Sequence, residues 1–141
     1  MNTLSQAFNS GRFVLTAELE CPRGASARNV ERQARAYAGL VDAVNCTDNS
    51  AAVARMSPVA AAGIAARAGV TPLVQLTCRD RNRLALQSDI LGAAAVGAAG
   101  IVSMWGDPPA VGNHPDAGAA LLICATRRVA CRGSVSAEMP C

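Results

Sequence analysis

QLTCRDRNRLALQSDILG, residues 75–92, changes character twice in a short span. The apolar run Pro72–Thr77 ends in a dense polar stretch, and an alanine- and leucine-rich segment with helical character follows over Asn82–Ala99. Strand, polar loop and helix in that order form the repeating unit of a parallel α/β sheet. Loops carried on rigid scaffolds are also where binding and catalytic groups concentrate. Thr77, Cys78, Arg79, Asp80, Arg81, Asn82 and Arg83 in succession exceed what fold stability alone asks of a loop, so the stretch reads as part of a site.

The same unit recurs on either side. Runs at Phe13–Leu19, Val41–Cys46 and Gly100–Trp105 resemble Pro72–Thr77, and helical segments at Ala27–Leu40 and Val53–Ala68 fill the intervals. Ser26 is a good N-cap for the first helix. Pro58 suits the first turn of the second, which Gly69 ends, and Gly100 closes the third. Short buried strands alternating with helices predict βαβ units and a parallel sheet. Right-handed crossovers then place all four strand C-termini on one edge. That edge collects Glu18 and Glu20, Asn45 to Asn49, Thr77 to Arg83, and Gly106-Asp107. In α/β proteins ligands bind at the carboxyl edge, in open sheets and closed barrels alike.

A chain of 141 residues, half of them apolar, corresponds to one domain or part of one. All 13 basic residues are arginine, against 10 acidic ones, and residues 1–117 are close to neutral. No clustered basic face of the kind nucleic acid requires is present. The N-terminus lacks the basic and apolar regions of a signal peptide, and no apolar run reaches the roughly 18 residues of a membrane span. A cytoplasmic protein with no nucleic-acid or membrane partner is expected. Six cysteines, at 21, 46, 78, 124, 131 and 141, lack CxxC spacing and accompany a single histidine, His114. No metal site is expected, and the thiols read as reduced, some buried as small hydrophobes.

Glu18 and Glu20 share one face of the first strand run because side chains alternate. A carboxylate there suits a general acid; the structural alternative is an ion pair of one of them with Arg23. Asp107 lies on a proline-stiffened turn, as a site residue or an ordinary turn carboxylate. Asn45-Cys46-Thr47-Asp48-Asn49-Ser50 offers donors for a phosphate or a flavin edge, or else Asp48 or Ser50 caps the second helix. GxGxxG and GxxxxGK[ST] are absent, which disfavours a doubly wound nucleotide binder.

AELECPRG (17–24), VNCTDNSAAVARMS (44–57), QLTCRDRNRLALQSDILGA (75–93) and GDPPAVGNHPDA (106–117) together resemble the methylenetetrahydrofolate reductases. The resemblance is closest to a branch whose third strand ends in a TCRDRNR-type loop. It implies a (β/α)8 TIM barrel, of which residues 1–117 hold about the first four β/α units. It also implies a flavin, FAD with FMN as the alternative, and hydride transfer from it to 5,10-methylenetetrahydrofolate. The electron donor is NAD(P)H or a partner subunit. Glu18 matches the family's proton-donating glutamate and Asp107 the aspartate near flavin and pterin. Thr47, Gln75, Thr77, Trp105 and Gly106, with Asp107, occupy the implied cofactor-binding positions. Gln75 and Trp105 stand where well-known members carry histidine and arginine, a departure that bears on the grip on flavin.

Residues 118–141 break from this pattern, with three cysteines, three arginines and no clear period, although Leu121–Cys124 resembles a fifth strand. Codons chosen for part of this tail spell a family-like strand in another frame, so the tail reads as a frameshift or truncation product. An eight-unit barrel needs roughly 250 residues, and a chain with half of it is expected to be inactive alone. Its unpaired edge strands favour a homo-oligomer. The competing expectation is a non-enzymatic α/β module that keeps the polar edge as a ligand or partner surface.

Overall fold

The computed structural model describes residues 4–117. Four parallel strands, β1 (Thr16–Leu19), β2 (Ala43–Cys46), β3 (Pro72–Thr77) and β4 (Gly100–Met104), alternate with α2 (Ala27–Tyr37), α3 (Pro58–Arg67) and α4 (Arg83–Ala95). A short helix that the sequence reading lacked, α1 (Leu4–Asn9), precedes them and runs into Gly11 at φ 72°. The element order is the expected one, and β3 has the expected bounds. β1 and β2 start later than their apolar runs, Phe13 being 85% exposed, and β4 ends one residue early, before the exposed Trp105.

Each helix start has a local cause. The Ser26 hydroxyl accepts from Asn29 N, and Asn82 Oδ1 accepts from Ala85 N at 2.9 Å. Helix α3 begins at Pro58 rather than at Val53, with the proline inside its first turn. Neither Asp48 nor Ser50 caps it; Ser50–Ala52 forms a separate 3-10 turn. Helices α2 and α4 stop before their expected ends because Gly39 (φ 76°) and Gly97 (φ 85°) turn the chain away.

Strand order is β1-β2-β3-β4, every pair parallel. Three right-handed crossovers that all step in one direction put all three helices on the same face of the sheet. A doubly wound sheet reverses direction and covers both faces, so that reading is removed. Leu19, Val44, Cys46, Val74 and Leu76 pack against Val30 and Ala34 of α2, Ala61 and Ala65 of α3, and Leu86 and Ala93 of α4. Small side chains draw the helices close, and a Cβ on Gly63 would touch Val96 at 3.4 Å. By alternation the opposite face presents Glu18, Asn45, Leu73, Gln75, Thr77 and Val102. Helices on one face and polar side chains on the other describe a segment of barrel wall, as expected from the sequence.

Two core thiols give this layer a pH signature. Burial pushes Cys21 up to about 11 and Cys46 up to about 12. The unfolded thiols ionise near 9.0, so the stabilisation is fully present below that pH and is lost as pH rises toward the folded values. Thermal melts should therefore show declining stability above about pH 9, with a shallower decline in Cys46→Ala. Identical slopes in the two proteins would count against thiol ionisation as the cause.

Candidate functional site

At the carboxyl edge the four strand-end loops are tied together through their polar side chains. Asp48, just past β2, is the hub. Its Oδ2 accepts from Thr77 N at 2.7 Å and Thr77 Oγ1 at 2.9 Å, and both its oxygens receive the Arg81 guanidinium. Arg81 Nε reaches Asp89 on α4 at 2.6 Å. Arg79 is only 6% exposed. It chelates Asp80 through Nε and Nη2 at 2.7 and 2.6 Å, and donates to the carbonyls of Asn49 and Asp107. The Arg79 guanidinium holds the Asp80 carboxyl below its usual range. Most charge in the TCRDRNR loop is thus matched within the protein. Its density serves the fold more than the sequence reading allowed.

The loop after β2 is strained. Asn49, Ala51 and Ala52 have φ of 43°, 57° and 53°, a region that alanine avoids at a cost of roughly 1–2 kcal/mol per residue. Several hydrogen bonds hold it. Asp107 accepts from Ala51 N at 2.7 Å, Asn113 Oδ1 from Ala54 N, and Asn49 Oδ1 from Arg55 N. Gly112 passes so close that a Cβ there would collide with the Ala52 carbonyl. Gly106, at φ 90°, lies against Thr77 and Arg79, and an added Cβ would sit 3.2 Å from both side chains. Between these loops lies a cavity of about 290 Å³ lined by Asn49, Arg79, Asp80, Asn113 and His114 among others.

The sequence-derived site residues separate into two groups. Thr47 and Thr77 are buried in the framework, Thr47 Oγ1 accepting from Cys21 N at 3.1 Å and Thr77 bound to Asp48. Gly106 makes the close approach just described. Glu18, Gln75 and Asp107 keep chemical capacity. Glu18 is exposed on the helix-free face, opposite Asn45 in register. Gln75 is 7% exposed, and its amide has no hydrogen-bond partner among the described residues. Trp105 follows β4 and is 57% exposed. Glu20 departs from expectation. It lies beyond β1, and it pairs with Arg55 at 2.9 Å rather than leaving either glutamate to Arg23.

Asn45, expected from the sequence only as one of the donors in Asn45–Ser50, has its Oδ1 buried without a hydrogen-bond partner. The signal available was a lone amide inside an apolar strand. Buried polar atoms are normally satisfied, so Asn45 Oδ1 is a place open to a ligand donor, and the Gln75 amide, with no partner among the described residues, adds a donor and an acceptor on the same face. A flavin ring edge carries both donors and acceptors, which amides match. The residues present therefore fit a flavin. Among the described residues no cluster of side chains could hold a metal ion, and no helix is long and apolar enough to cross a membrane.

A one-way parallel sheet with all helices outside and convergent polar loops at its strand ends defines the class: β/α-barrel enzymes that work at the carboxyl rim. The family profile described as methylenetetrahydrofolate reductase matches residues 3–126. The chain belongs to the methylenetetrahydrofolate reductase family, oxidoreductases that are generally flavin-dependent, act on folates and have the TIM-barrel fold. No curated protein and no solved structure matches the chain.

Proposed function

We propose that the chain is a methylenetetrahydrofolate reductase-like flavoprotein of one-carbon metabolism and methionine biosynthesis. It would reduce 5,10-methylenetetrahydrofolate to 5-methyltetrahydrofolate in the cytoplasm. The observation that carries this reading is the helix-free carboxyl edge, where exposed Glu18 lies in the same sheet face as the unpartnered Gln75 amide and the orphaned Asn45 Oδ1. When bound, FAD supplies the hydride, renewed by NAD(P)H or a partner subunit. Gln75 and Asn45 orient the ring edge, and Trp105, exposed just past the end of β4, is available to the ligand from the rim. Gly106 keeps the rim low enough for close approach. Asp107 holds the 49–54 loop through Ala51 N and keeps its remaining oxygen lone pairs for the ligand. Glu18 holds the proton that opens the substrate's methylene bridge, a general-acid role suited to a carboxyl group.

The four described strands are half of an eight-strand ring. Residues 1–117 are the partial barrel in this reading and 118–141 a tail of separate origin, although the family match runs on to residue 126. A second reading, a ligand-binding module without turnover, is favoured by the pairing of Asp48, Asp80, Arg79 and Arg81 with one another. The two are separated by mixing the chain with FAD, photoreducing it without oxygen, and adding methylenetetrahydrofolate. Folate-dependent flavin reoxidation with methyltetrahydrofolate as product supports the reductase. Flavin binding without reoxidation supports the module.

A further inference from the structure

The guanidinium of Arg55 is only half used. Nη1 donates to the Cys21 carbonyl at 3.0 Å and meets Glu20 Oε1 at 2.9 Å. Nε is buried with no hydrogen-bond partner, and Nη2 has none either among the described residues. Nε–H and Nη2–H together form one of the two edges with which an arginine grips a carboxylate or phosphate bidentately. The Arg55 side chain is 12% exposed, so this edge sits in partly desolvated surroundings, where an oxyanion contact is stronger than in water.

Arg55 lines a groove of about 570 Å³ together with Arg23, Ala27, Met56, Ala60 and Ile64. Arg23 is exposed and has no acidic partner among the described residues. Against these two cations the neighbourhood supplies one matched carboxylate, Glu20. The groove also meets the start of α2, an 11-residue helix with no acidic residue in its first turn, whose positive end adds to the field. Met56, Ala60 and Ile64 make the rest of the wall apolar. The groove lies between α2 and α3, on the helix-covered side of the sheet, whereas Glu18 and Gln75 occupy the other face.

We propose that this groove binds a small ligand bearing a carboxylate or phosphate on an apolar stem, with Arg23 and the free edge of Arg55 as its anion contacts. The inference does not depend on flavin or folate chemistry. The probes are inorganic phosphate and glutarate, titrated into the full chain with chloride at matched ionic strength and followed by amide NMR. Saturable shifts of Gly24, Ala25 and Ala27 are expected with at least one probe and not with chloride. The probe that saturates identifies the oxyanion class. Arg23→Gln should weaken binding about tenfold, the scale of one charge-assisted hydrogen bond. Arg55→Lys keeps the charge and loses the fork, and should weaken it comparably. Saturation by neither probe overturns the proposal, as does affinity unchanged in Arg23→Gln, an exposed position whose replacement leaves the core intact.

Discussion

Asp48→Ala is expected to lower the stability of the chain by about 3–5 kcal/mol, the usual consequence of removing one partner of a buried ion pair. The Asp48 side chain is fully buried, at 0% exposure, and Arg81 is 12% exposed. The variant strands the Arg81 guanidinium, with Asp89 as its remaining carboxylate, and leaves Thr77 N and Oγ1 without their main acceptor. A single domain is stable by only about 5–15 kcal/mol, so the loss is a large share of the whole. Urea unfolding measures it as a lowered midpoint at constant slope. Asp48→Asn, which keeps one acceptor oxygen for Thr77, should lose less. A change within about 0.5 kcal/mol, as for ordinary surface substitutions, would mean that the strand-end clamp is not a structural hub.

Glu18→Gln is expected to leave fold and flavin binding intact while reducing folate-dependent reoxidation by about 10²–10⁴-fold, the range for loss of a general acid. Glu18 is exposed and makes no ion pair among the described residues, so its replacement by an isosteric amide disturbs no packing. The measurement is the reoxidation rate of photoreduced flavin on the chain, wild type against variant, at saturating folate. An equal rate in the two proteins would remove Glu18 from the proton-donor role. Equal flavin affinity in the same pair keeps a binding defect from being mistaken for a chemical one.

Much of the architecture was legible because its causes are local. Pro72–Thr77 is apolar and bounded by a turn and a polar loop, Asn82 and Ser26 carry capping oxygens, and Pro58 fits only a first turn. What escaped the sequence depends on contacts between distant loops. Nothing in Ala51 or Ala52 announces a left-handed backbone, which exists because Asp107, Asn113 and Gly112 hold it. Glu20 was as near to Arg23 as to any cation in the chain order, yet the fold brings Arg55 to it. Asp48 resembled a helix cap, and only the alignment of β2 with β3 makes it the acceptor for Thr77 and Arg81. The polar density of the TCRDRNR loop correctly marked the carboxyl edge. Its charges proved to be largely the means by which that edge is held together, while the uncommitted groups are the quieter Glu18, Asn45 and Gln75. Leu121–Cys124, read as a fifth strand, and the rest of the tail lie outside the described residues.

The central claim is that the helix-free carboxyl edge receives a flavin through those uncommitted amides. Its most direct test is titration of FAD with the full chain, followed in the visible flavin band near about 450 nm. The expected result is a saturable change of that band, markedly weaker in Gln75→Leu, which removes the buried amide without altering the helix-facing core. A band identical to that of free flavin at the highest protein concentration, with FMN as well as FAD, would contradict it.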